Sequence, residues 1–204
     1  MASTFVNDLR LNEMATGDQS GSWGTVTNTN LELIGEAFGF GTEAITTNAN
    51  THTTTIADGG TDPGRSMFLK YTGALDSACT ITIGPNTVSK MWFIENATTG
   101  SQNIIISQGS GANVTIAAGK TKAVYSNGAG SGAAFVDAFN SLSVGALTGT
   151  TGTFSGAVSL GGIAYPTSDG SNGQALVTNG SGTVSFGSAG ISTGKAIAMA
   201  IVFG

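Results

Sequence analysis

Charge is what this sequence has least of. Asp, Glu, Lys and Arg together make up 9% of its 204 residues, where a soluble domain ordinarily carries about 25%. Helices with an exposed face draw on Glu, Lys and Arg for both propensity and solubility, so the shortage argues against a helical protein. One cysteine, Cys79, excludes an intramolecular disulfide framework and a cysteine-based zinc site. In the alternating stretch Ala78-Cys79-Thr80-Ile81 it reads as a small buried hydrophobe. One histidine, His52, has no second His or Cys at metal-ligand spacing, and no Gly-x-Ser-x-Gly elbow accompanies it. It reads as a solvent-facing loop or strand-edge residue. A net charge of −5 and the lack of any Lys/Arg run leave no basic footprint for nucleic acid. The N-terminus has neither a basic nor an apolar leader region, so the chain is expected to be made in a cytoplasm and not secreted by the ordinary route. The apolar stretch Ala196 to Phe203 is under half the length a membrane-spanning helix needs, so no membrane insertion is expected.

What fills the space is Gly, Ser, Thr, Asn and Ala. With 40% hydrophobic content and a small net charge, the chain lacks the signature of disorder. Thr and Val interspersed with Gly and Asn read as short strands joined by tight turns. Three segments follow. Residues 1–45 carry a turn-rich loop around Trp23. A short helix follows it, on which Leu31, Ile34 and Phe38 have helical spacing, with Asn28 or Asn30 as cap and Gly39 as stop. Residues 46–140 carry runs such as Thr53–Ile56, Met67–Tyr71, Cys79–Ile83, Lys90–Asn96, Asn103–Ser107, Val114–Ile116, Lys122–Ser126 and Ala134–Phe139. Their spacing of roughly 10 to 12 residues predicts a sandwich, jelly-roll-like domain or small barrel, with Trp92, Phe68, Phe93 and Phe135 in its core. Residues 141–204 hold only Asp169 and Lys195 as charged groups. The apolar side chains of this last segment are isolated by glycines and cannot build a core from one copy. It is either a flexible tail or a segment that meets identical copies on a shared axis. The apolar terminus favours the second, because left exposed it is an aggregation hazard.

No group is singled out for covalent chemistry, and no metal or cofactor is expected. Asp58 and Asp62 flank Gly59-Gly60-Thr61, but without an EF-hand pattern they read as ordinary turn residues. The glycines at Gly39-Phe40-Gly41 and Gly109-Ser110-Gly111 lack the strand–loop–helix setting of a nucleotide site. Trp92, between Met91 and Phe93, reads as core. Trp23, flanked by glycines, anchors either its own loop or a partner protein.

Several blocks resemble bacteriophage tail-fibre and appendage proteins. The opening Asn7-Asp8-Leu9-Arg10-Leu11 and Trp23-Gly24 followed by Asn28-Thr29-Asn30 are similar to the starts of such proteins. Asp62-Pro63-Gly64-Arg65, Gly84-Pro85-Asn86 and Phe93-Ile94-Glu95-Asn96 resemble a β domain of marine-phage structural proteins. Leu147 to Val158, Tyr165 to Gly170 and Gly173 to Gly180 are similar to fibre-shaft and fibre-end sequence. The resemblance implies a virion protein, usually a parallel homotrimer. Residues 1–45 would dock on another virion protein of tail or capsid through Trp23, Asn28 and Asn30. Residues 46–140 would form the β domain. Residues 141–204 would form a projecting, intertwined glycine-rich shaft closed by Leu147, Phe154, Val158, Leu160, Ile197, Ile201 and Phe203. A capsid decoration protein or head fibre, and a spike that binds a host surface glycan or receptor, are the alternatives.

Overall fold

The computed structural model describes residues 3–146, 148–154, 156–190 and 193–203. The described chain is mainly β, with two α-helices. It divides into two compact units, one ending at Ser143 and one beginning at Val144.

In the first unit helix α1 (Trp23–Ala37) precedes the strands β1 (Phe40–Ala44), β2 (Thr51–Thr55), β3 (Phe68–Thr72), β4 (Cys79–Gly84), β5 (Met91–Asn96), β6 (Ile104–Ser107), β7 (Val114–Ile116), β8 (Thr121–Ser126) and β9 (Phe135–Asp137). They form two sheets, in the orders β1-β3-β5-β8-β9 and β2-β4-β6-β7. From β1 to β6 each strand lies in the opposite sheet from the one before it. Strands β1, β3 and β5 pair parallel, as do β2, β4 and β6. Only the later pairs, β6 with β7, β5 with β8 and β8 with β9, are antiparallel. The chain thus coils three times around one interior, and Phe40, Phe68 and Phe93 come into register although they are 28 and 25 residues apart in sequence.

A jelly roll is antiparallel throughout, and the parallel coils depart from it. The eight sequence runs are all strands, but up to β6 neighbours in sequence cross to the other sheet instead of forming hairpins; only β6 with β7 and β8 with β9 pair with the next strand in sequence. The described strands do not close a barrel. Alternation decides which face is inside. Leu69, Tyr71, Trp92, Ile94, Val124 and Phe135 from the five-stranded sheet meet Cys79, Ile81, Ile83, Ile104, Ile106 and Ile116 from the other in one core, all 0–1% exposed. The Trp92 indole N–H donates to the Gly64 carbonyl at 2.8 Å, which satisfies its one polar atom inside the protein.

The coils stack tightly where they turn between sheets. The N–H of Ile45 donates to Thr72, that of Leu75 to Thr99 and that of Thr99 to Gly73, at 2.8–3.0 Å. Gly73 and Gly100 sit in these corners at φ +123° and +95°.

The second unit holds two hairpins and a helix. Strands β10 (Ser159–Leu160) and β11 (Ile163–Ala164) are joined by Gly161-Gly162, both at positive φ, the conformation of a two-residue primed turn. Strands β12 (Gln174–Thr178) and β13 (Val184–Ser188) pair antiparallel, with Leu176 opposite Phe186. Helix α2 (Thr193–Phe203) ends the chain. The described strands here pair within their own chain, and the apolar terminus is helical. Among the described residues from Val144 onward none is buried.

Candidate interaction surfaces

Helix α1 runs from Trp23, well before the Asn28 or Asn30 start that its sequence suggests. Thr25, Val26, Thr27, Asn28 and Thr29 are all weak helix formers, and the tertiary contacts of α1 lie farther along, from Asn30 onward. Asn30 accepts from the Asn12 N–H at 3.0 Å and donates to the Asn12 carbonyl at 2.9 Å. Leu33 and Ala37 are buried. Glu36, in the last turn, accepts from the Thr61 hydroxyl, from the Asp62 N–H at 3.0 Å and from Arg65 at 3.1 Å.

Arg65 organises this end of the unit and carried no signal in the sequence beyond its place in a resembling block. Its side chain has no exposed surface. It donates to the carbonyls of Leu9 (2.9 Å), Ala57 (2.6 Å) and Gly60 (2.6 Å) and to the Glu36 carboxylate. Asp62 lies 3.2 Å away and caps the short 3-10 turn Pro63–Arg65 by accepting from the Arg65 N–H at 2.8 Å. A buried guanidinium is tolerable only with its fork of donors satisfied in this way. Burial pushes the Asp62 carboxyl above the usual range against these favourable contacts. Lys90 donates to the Arg65 carbonyl and lies 4.8 Å from the Trp92 ring centre, and burial pushes its ammonium down to about 8. The acids flanking Gly59-Gly60 are therefore engaged by the chain's own arginines, Asp58 by Arg10 at 2.7 Å and Asp62 by Arg65.

With Arg65 fixing one side of α1, the helix leaves another side bare. Trp23, Leu31 and Phe38 are 66%, 60% and 71% exposed. At about 100° per residue they fall on one stripe of the helix and its cap. The sequence periodicity suggested Leu31, Ile34 and Phe38 as the packed face; Ile34 is half-buried, but Leu31 and Phe38 are exposed, and Leu33 and Ala37 are the buried residues of the helix. Of the three proposed docking residues, Trp23 lies on this bare stripe and Asn28 is exposed on another side of the helix, whereas Asn30 is spent on Asn12.

His52 is not solvent-facing. It lies on the edge strand β2 with its side chain 17% exposed, its Nε2 2.7 Å from Glu43 and its ring edge-on to Tyr71. Thr54 joins the same chain of contacts, donating to Glu43 at 2.9 Å and lying 2.7 Å from the Tyr71 hydroxyl. Burial raises the Tyr71 pKa. These four side chains bridge β1 and β2, the first strands of the two sheets, and close the polar end of the core.

In the second unit the residues expected to join copies are exposed: Phe154 69%, Leu160 60%, Ile197 54%, Ile201 78% and Phe203 82%. Val158 is half-buried, and Leu147 lies outside the described residues. Helix α2 is apolar around its circumference, with Ile197, Met199, Ile201, Val202 and Phe203 all open to solvent. A helix apolar on all sides is normally buried.

No protein-family model, no curated protein and no solved structure matches this chain.

Proposed function

We propose that the chain is a structural subunit of a phage virion: a short homotrimeric tail fibre or fibre-like appendage that carries out no covalent chemistry. The observation that carries this reading is the second unit, whose described residues from Val144 to Phe203 include none that is buried and end in an apolar helix. A segment of that kind acquires a core only from partners. The resembling shaft blocks occupy the same segment, which favours identical copies arranged as a glycine-rich shaft. The bare stripe of Trp23, Leu31 and Phe38 is the docking surface for another virion protein, since exposed aromatic anchors are the usual hot spots of such contacts. The groups with chemical potential support a structural role, because His52, Glu43 and Arg65 are each tied to neighbours that hold the fold together.

Light scattering on the full chain and on a chain truncated after Asn140 tests the reading. The expected result is three copies for the full chain and one for the truncated chain. A full chain that is monomeric, or a truncated chain that assembles equally well, would overturn it.

A further inference from the structure

The last turn of α1, the start of β1 and the turn that precedes β3 border a cleft of about 310 Å³, whose lining includes Glu36, Phe40, Thr61, Asp62, Pro63 and Ser66. That is the lower end of the range for small-molecule sites, roughly 300–1,000 Å³, with room for one small ring and not for a chain. Ser66 sets the cleft apart from an ordinary surface dip. The residue is 2% exposed, and its hydroxyl makes no hydrogen bond among the described residues. Buried hydroxyls normally have a partner. This one is not sealed from solvent, and since Ser66 lines the cleft, the cleft is where it opens.

The other polar side chains of the wall accept. Glu36 takes the Thr61 hydroxyl, the Asp62 N–H and Arg65, and a carboxylate has about four acceptor positions. Thr61 has given its proton to Glu36 and keeps only acceptor capacity. Of the side chains named, Ser66 alone holds a free proton. A ligand that satisfies this wall is therefore rich in donors. Charge narrows its class. Arg65 and Lys90 are the cations that interact with Glu36 and Asp62, so the charges balance two against two. An anion would face both carboxylates, and an ammonium would bring a surplus charge. The apolar part of the wall is Pro63 and Phe40, which is 61% exposed and held by the Phe68 ring stacked on it at 5.1 Å.

We propose that this cleft binds a neutral polyhydroxylated ring, the chemistry of a single hexose unit. Ligand hydroxyls donate to Glu36 and Thr61, one pairs with the Ser66 hydroxyl, and the C–H face of the ring lies against Phe40. A few placed polar groups beside an apolar wall are the usual make-up of such a site. All its residues belong to the first unit, so the proposal does not depend on how many copies assemble.

Saturation-transfer NMR on the full chain tests it, with methyl α-glucoside, methyl β-galactoside and methyl α-mannoside as neutral probes and ethylammonium and inorganic phosphate as charged ones. The expected result is binding of at least one hexoside with a Kd of roughly 1–10 mM, as a ligand of about a dozen heavy atoms gives at ordinary efficiency. Ser66→Ala is expected to weaken that binding about five- to ten-fold through one lost hydrogen bond. Its thermal midpoint should not move, because the hydroxyl has no partner in the protein to strand. Phe40→Ala is expected to weaken binding at least as much, and Thr82→Ala, exposed on the other sheet, to leave it unchanged. Should Phe40→Ala unfold, Ser66→Ala decides alone. No hexoside bound at about 50 mM, wild-type binding by Ser66→Ala or by a folded Phe40→Ala, or preferential binding of ethylammonium or phosphate would each overturn the proposal.

Discussion

The Glu36 carboxylate, in the last turn of α1, lies 3.1 Å from the guanidinium of Arg65, a side chain with no exposed surface. That pair fixes the helix to the coiled β unit. Through the Leu9 carbonyl, Arg65 also holds the N-terminal segment against the same place. The consequence is mechanical: helix α1 and the N-terminal segment are held to the β unit through one buried side chain.

Arg65→Met removes that anchor while keeping much of its volume. It leaves the carbonyls of Leu9, Ala57 and Gly60 and the carboxylates of Glu36 and Asp62 without their cation. The expected cost is about 3–5 kcal/mol, the range for breaking a buried ion pair from one side. Urea unfolding read by tryptophan fluorescence measures it. Arg65→Lys is expected to recover only part of the loss, because an ammonium cannot reproduce the planar fork.

Trp23→Ala separates docking from folding. The side chain is 66% exposed, so the change is expected to move stability within roughly 0.5 kcal/mol. Incorporation into particles is expected to fall sharply, as it does when an interface anchor is lost. A variant that assembles into particles normally would show that the stripe faces nothing.

Much of the β unit is legible in the sequence: the run Cys79–Ile83 alternates and so marks both its strand and the buried side. Lys90–Asn96 marks a strand but not its side, because Met91-Trp92-Phe93-Ile94 is apolar on both faces, and Phe93 and Phe68, expected in the core, stand half-buried on the outer face. The partners of those strands are not legible. Runs separated by about a dozen residues look like hairpins, yet β1 pairs with β3 and β2 with β4, and nothing local in the sequence encodes that crossing. Strand β1 was missed because Phe40-Gly41-Thr42-Glu43-Ala44 holds only one apolar side chain of the kind that marks a strand, Phe40, and it is exposed as the unit folds. Trp23 could be singled out from its glycine-flanked setting, and its side chain is exposed. Arg65 could not, because its role depends on carbonyls from two separated stretches, Leu9 and Ala57–Gly60, and on the Glu36 carboxylate from a third, and the aromatic row needs the parallel register before Phe40, Phe68 and Phe93 become neighbours.

Lys90 gives a pH signature. Its folded pKa is about 8 against an ordinary 10.5, with burial as the main cause. Below pH 8 both folded and unfolded chains hold the proton, and the native state bears the full cost of a buried charge. Between 8 and 10.5 the unfolded chain binds more protons than the native one, so this residue makes stability rise with pH. Tyr71 acts oppositely once unfolded tyrosine ionises near 10, because its folded pKa is raised. The urea midpoint of the wild type minus that of Lys90→Met, measured from pH 7 to 9.5, is therefore expected to climb. A flat difference would mean that the ammonium is solvated.

The corners where the coils stack should be the least forgiving positions in the first unit. At Gly100 φ is +95°, and a Cβ there would lie 1.9 Å from the Leu75 carbonyl oxygen. Backbone rather than a movable side chain is in the way, and that carbonyl belongs to the preceding coil, whose Leu75 N–H is bonded to Thr99. Gly100→Ala must therefore push two coils apart as well as force a left-handed conformation on alanine, at an expected cost of about 3 kcal/mol or more. Gly119 is the comparison: its φ is +69° but nothing lies within 4 Å of its Cβ position, so Gly119→Ala costs only the conformational term of roughly 1–2 kcal/mol. Thermal unfolding of the two variants side by side measures the difference. Equal losses would mean that the coils are not packed corner on corner, and the parallel register that aligns the Phe40 row would lose its physical support.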